Sequence, residues 1–177
     1  MPAKSSKPSA KVKPSKAISE TGASLEGQKA PAFELPDQSG AKVSLKDLIA
    51  KKNLILYFYP KDMTPGCTTE ACSFRDNLEG IKRLGAQVVG ISGDTPASHQ
   101  KFTVNHALNF PLLADVDNAV GKRYGVYKKK SLYGREFIGI ERTTFIIGRD
   151  STIRKVFPKV KVAGHTDEVL AALKGLG

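Results

Sequence analysis

Apolar and polar positions along this chain follow two different periods, and the switches between them mark out the elements. Residues 53–59 form an unbroken apolar, aromatic-rich run, the pattern of a strand covered on both faces. Residues 86–92 (AQVVGIS) predict a second buried strand and residues 111–114 a shorter one. Between the first two, Phe74, Leu78, Ile81 and Leu84 recur at helical spacing and predict a helix over 65–84 with that face inward. Pro96 opens another helix reaching about residue 107, because proline suits a first helical turn. Upstream, Phe33 and Leu35, turn residues 37–40, then Val43 and Leu45 predict a β-hairpin, followed by a helical turn over 44–50. Downstream, residues 117–124 predict a short helix and 127–135 a basic loop around Lys128, Lys129 and Lys130. Residues 142–148 and 152–157 predict a second hairpin, and Thr166 caps a last helix to Lys174, with Gly175 as its stop. Strands alternating with helices, then a terminal hairpin and helix, predict an α/β fold around a central mixed β-sheet flanked by helices.

Length and composition narrow this further. A chain of 177 residues supports one domain with a sizeable core. Residues 1–24 stand apart: they are rich in Lys, Ser, Pro and Ala and almost lack large apolar side chains. Such a segment cannot bury enough surface to offset its ordering entropy, so it is predicted as a disordered basic tail before a domain at 25–177. Residues 1–29 carry +4 of the net charge of +11. A basic surface attracts anions, but no aromatic-interleaved basic strand accompanies it, so nucleic acid is expected at most on the tail. No apolar run approaches ~18 residues, so no membrane span is expected. The N-terminus has no apolar signal core. Two cysteines without a secretory signal point to a reducing compartment, where a pair is catalytic or redox-sensing rather than structural. The cytoplasm is expected, with the nucleus as the alternative suggested by the lysine-rich tail.

Both cysteines, Cys67 and Cys72, fall in the stretch 57–77, YFYPKDMTPGCTTEACSFRDN. It reads as a strand end, a Pro/Gly-rich turn and the first turns of a helix. A helix N-terminus presents free N–H groups and a positive dipole end, which favour thiolate over thiol, and the thiolate is the nucleophile. On a helix, five residues rise about 7.5 Å and turn about 500°, placing the two Cα atoms roughly 8–9 Å apart. A disulfide spans at most about 7 Å between Cα atoms, so bonding would require the first turns to unwind. Two thiols joined by local unwinding suggest a redox cycle. The spacing is poor for zinc, and no metal, flavin or haem is implied. His99, His106 and His165 are scattered, and spacing nominates none of them as a base. A disulfide oxidoreductase would normally carry C-x-x-C; four residues separate this pair.

Pro60-x-x-x-Thr64-x-x-Cys67 resembles the PxxxTxxC signature of peroxiredoxins, and Thr68 to Cys72 resembles the PrxQ (bacterioferritin comigratory protein) subfamily. Arg142 to Ile147 (RTTFII) is similar to the family's arginine-bearing strand. The likeness covers about residues 25–177. It implies a thioredoxin-like fold with an N-terminal β-hairpin extension, and a thiol peroxidase needing no cofactor. Under it, Cys67 attacks a hydroperoxide and becomes a sulfenic acid, and Arg142 pairs with the thiolate and orients the peroxide. Thr64 bonds the peroxide and the Cys67 sulfur through its hydroxyl, or else simply caps the helix. Pro60 closes the pocket and shields the sulfur, or else ends the strand. Glu70 supports the local hydrogen-bond network, or else is an exposed glutamate of the first turn. Cys72 resolves the sulfenic acid as an intramolecular disulfide. Thioredoxin or glutaredoxin is the implied reductant, and a monomer is expected.

Overall fold

The computed structural model describes residues 25–176; the tail predicted at 1–24 lies outside them. β1 (Glu34–Pro36) and β2 (Lys42–Ser44) form the expected N-terminal hairpin. Asp37 Oδ1 shapes its turn by accepting the Ser39 and Ala41 N–H groups. Ser44 then caps α1 (Leu45–Ile49) by accepting from the Asp47 N–H.

The main sheet has five strands in the order β5-β4-β3-β8-β9. Its centre is β3 (Asn53–Phe58), parallel to β4 (Ala86–Ser92) and antiparallel to β8 (Thr143–Ile147). β5 (Leu112–Ala114) continues the parallel side, and β9 (Ile153–Phe157) the antiparallel side. The alternation of side chains along β3 divides the core into two layers. Leu54, Leu56 and Phe58 face a cluster with Val89, Ile91, Phe145 and Ile147, closed by the N-terminal hairpin and α1. Ile55 and Tyr57 face the other layer, where α2 (Pro65–Arg83) lays down Phe74, Leu78 and Ile81. Phe102 from α3 (Pro96–Asn105) and Val169 and Leu173 from α5 (His165–Gly175) complete that layer. A sheet covered on both faces explains why β3 reads as a continuous apolar run.

Two expectations are corrected. Residues 127–135 are not a loop. After α4 (Ala119–Arg123), β6 (Tyr127–Leu132) pairs antiparallel with β7 (Arg135–Ile140) in a separate two-stranded ribbon. Its two-residue turn is Tyr133-Gly134, both at positive φ (51° and 75°), the conformation that matches strand twist in a tight hairpin. Thr166 does not cap α5: Gly164, at φ 76°, holds the N-cap position, and Thr166 Oγ1 meets Ser73 Oγ of α2 at 2.6 Å instead.

Candidate functional site

The chain leaves β3, crosses residues 60–64 and enters α2 at Pro65, with Thr64 at the N-cap position. Cys67 is therefore the third residue of the helix. Gly66 and Cys67 keep N–H groups with no carbonyl four residues back inside the helix, so partial positive charge collects at the sulfur's end. Cys67 is 1% exposed, Cys72 is half-buried, and both are free thiols in one continuous helix.

Arg142 stands just ahead of β8 and reaches across to the start of α2. Its Nη2 donates to Cys67 Sγ at 3.2 Å, and its Nη1 donates to Glu70 Oε1 at 2.8 Å. Cys67 and Glu70 are three residues apart, hence neighbours on one helix face, which lets one planar guanidinium span both. Burial works against the charge of Arg142, but Glu70 and Cys67 outweigh it and hold its pKa above the ordinary value. Burial raises the Glu70 carboxyl to about 7, although Arg142 pulls the other way. The 2.8 Å contact survives either protonation state, since a neutral carboxyl still accepts through Oε1. A Cβ placed on Gly66 would stand 3.3 Å from Arg142 Nη2, so the guanidinium lies close against the main chain of the first turn. From the ribbon, Lys130 donates to the Ile140 carbonyl oxygen at 2.7 Å. Burial lowers its pKa, assisted by Arg142 and opposed by Glu141 and Cys67, so its ammonium stands near the site.

The structure thus joins Cys67, Glu70 and Arg142. It rules out the exposed reading of Glu70, whose side chain is 1% exposed. Thr64 makes no side-chain cap; its hydroxyl donates to the Lys61 carbonyl oxygen at 2.9 Å and closes the turn upon itself. Pro60 is exposed and lines a groove of about 260 Å³ with Asn118, Tyr127 and Ile140.

Sequence reasoning missed Asp62 and His99. Asp62 lies two residues before Thr64 with its side chain fully buried. It accepts from the Tyr59 hydroxyl at 2.6 Å and the Ser98 hydroxyl at 2.9 Å, and meets His99 Nδ1 at 2.7 Å. His99 Nε2 lies 3.0 Å from the Leu113 carbonyl oxygen, which only an N–H can satisfy. The Asp62 N–H donates to Asp94 Oδ2, which also accepts from Ser92 Oγ. The turn before Cys67 is thereby tied to α3 and to the ends of β4 and β5. Asp62, Asp94 and His99 bring three potential metal-ligating atoms within 4.8 Å of one another. These groups already bond one another and their neighbours, which makes the cluster an internal clasp. An ionisable residue inside a turn that opens a helix was the one available signal; its partner lies 37 residues away.

The family model described as AhpC/TSA matches residues 26–156. Peroxiredoxin Bcp of Bacillus subtilis is 46% identical over 150 residues, which is 85% of this chain and 95% of that protein. Peroxiredoxin Bcp of Escherichia coli is 45% identical over 148 residues, 84% of this chain and 94% of that one. A solved structure of Xanthomonas campestris peroxiredoxin Q superposes with a TM-score of 0.79 at 40% identity, covering 88% of this chain and 98% of that chain.

Proposed function

The chain belongs to the AhpC/TSA family of peroxiredoxins, and from that membership we propose a complete peroxidase cycle carried by Cys67, Cys72 and Arg142. Its thioredoxin-like α/β fold and its thiol peroxidase activity follow from the family; the assignment of steps to residues is the proposal. The observation that carries it is the 3.2 Å contact from Arg142 to a sulfur buried in the first turn of α2.

The Cys67 thiolate attacks one oxygen of hydrogen peroxide or an organic hydroperoxide. The S–O bond forms, the O–O bond breaks, and the leaving oxygen departs as hydroxide or alkoxide, taking up a proton to become water or alcohol. Arg142 stabilises the thiolate before attack and the developing negative charge during it. Glu70 holds the guanidinium in place from its other edge. Thr64, with its proton donated to Lys61, keeps hydroxyl lone pairs able to accept from the peroxide, and Pro60 closes one side of the approach.

The product is a Cys67 sulfenic acid. Cys72 then attacks that sulfur, forming the disulfide and releasing water. Both residues sit in one intact helix, so the first turns of α2 open for this step; such local opening suits a helix end. Thioredoxin, or a glutaredoxin, reduces the disulfide by thiol exchange and becomes oxidised itself. The pair lies in one chain, so a monomer suffices. Among the described residues no helix is long and apolar enough to cross a membrane, and antioxidant work in the cytoplasm is the setting we propose.

The test is NADPH-linked peroxide consumption with thioredoxin and its reductase. Cys67→Ser should abolish it. Cys72→Ser should stop recycling by thioredoxin while still consuming one equivalent of peroxide. Full thioredoxin-linked turnover by Cys72→Ser would refute the resolving role.

A further inference from the structure

We infer that Glu70 and Cys67 share a single negative charge across Arg142, and that oxidation of the sulfur transfers that charge to Glu70. The inference rests on the peroxidase reading above. One guanidinium touches both acids, Nη2 at 3.2 Å from Cys67 Sγ and Nη1 at 2.8 Å from Glu70 Oε1. Both acids are buried. Two anions against one cation in such a place leave a charge without compensation, which is strongly disfavoured.

Glu70 Oε2 is the oxygen left to carry the proton. It is buried and has no hydrogen-bond partner among the described residues. An ionised carboxylate would strand charge on that oxygen, whereas a neutral carboxyl carries its proton there and still accepts from Arg142 through Oε1. The pKa of about 7 that burial gives Glu70 agrees with this.

Among the described residues no second cation hydrogen-bonds either acid. Tyr57 of β3 has its pKa raised by burial and by Glu70, and so stays neutral, its hydroxyl buried without a hydrogen-bond partner among the described residues. His165 of α5, which faces Arg142, has its pKa lowered by burial and stays neutral near pH 7. Lys130 is a cation near Arg142 and Cys67, but it is offset by Glu141 and donates to the Ile140 carbonyl oxygen rather than to either acid.

The step balances. Before attack the site holds a thiolate, a protonated Glu70 and a cationic Arg142. After it, the site holds a neutral sulfenic acid, a Glu70 carboxylate and the same cation. The proton that Glu70 loses equals the one that the leaving alkoxide gains, whether passed directly or through water. Glu70 does not touch the peroxide; it is a positioning and charge-balancing residue.

Infrared difference spectroscopy tests this on the full chain carrying Cys72→Ser, oxidised with one equivalent of hydrogen peroxide just below neutral pH. Oxidation should remove a protonated-carboxyl C=O band and add a carboxylate band. Adding Glu70→Gln, which keeps the Arg142 contact but cannot ionise, should erase both changes. An unchanged carboxyl band beside a Cys67 that mass spectrometry finds oxidised overturns the inference and leaves the peroxidase reading standing. A Cys67 that peroxide fails to oxidise removes both.

Discussion

His99 grips Asp62 at 2.7 Å beneath the turn that leads into α2, with both side chains fully buried. His99 Nε2 donates to the Leu113 carbonyl oxygen, while Asp62 meets Nδ1 and accepts from the Tyr59 and Ser98 hydroxyl donors. Asp62→Ala leaves those donors without an acceptor. Removing one partner of a buried pair costs about 3 kcal/mol or more. Chemical denaturation should show a loss of that size, and the variant should react with peroxide more slowly, because Thr64 and the helix start lose their anchor. Unchanged stability would mean that the clasp is ornamental.

Arg142→Lys retains a charge but cannot reach Cys67 and Glu70 at once, since an ammonium is a point donor. Losing one donor to a developing anion costs about a hundredfold or more in rate. Stopped-flow measurement of the reaction of reduced protein with hydrogen peroxide should show a fall of this order. A rate within threefold of wild type, on the order of 1 kcal/mol or less, would exclude the role given to the guanidinium.

Bonding Cys67 to Cys72 and keeping α2 whole are incompatible. Hydrogen exchange on the oxidised protein should therefore show lost protection for backbone amides near residues 68–72, while those of Leu78 and Ile81, packed in the core, stay protected. Equal protection before and after oxidation would argue against an intramolecular bridge.

Glu70 makes stability depend on pH in a defined direction. Its carboxyl is raised from 4.5 to about 7 by burial. Between those values the unfolded chain has released a proton that the folded protein still holds, so stability falls as pH rises through this window and levels off above about 7. The span corresponds to at most about 3 kcal/mol. Denaturation of reduced wild type and Glu70→Gln across this range should show the slope in wild type and a flatter profile in the variant. Parallel profiles would place the carboxyl elsewhere on the scale.

How much of this was legible in the chain depends on where each residue finds its partner. The strand at 53–59 and the inward face of α2 are written locally, since burial on both sides of a sheet or on one helix stripe leaves a periodic trace. The ribbon of β6 and β7 escaped because it stands apart from the sheet. Most of its side chains are exposed or half-buried, lysines fill β6, and its turn is Tyr-Gly rather than the more recognisable Asn-Gly. Cys67 and Cys72 stand out by their place at a predicted helix start, whereas Arg142 is singled out only by resemblance to a known signature. The burial of Glu70 was not readable, because a first-turn glutamate is favourable in water too; only the fold shows Arg142 lying over it. Asp62 and His99 were missed for the same reason, since neither means anything until α3 packs beside the turn.

Gly66 carries one last implication. The guanidinium of Arg142 lies so near the main chain there that an added methyl would press upon it. Any uncoiling of the first turn of α2 removes the floor on which that guanidinium rests. Bridging the two sulfurs would thus dismantle the anion cradle in the same movement, and the protein would be blind to further oxidant until a reductant resets it.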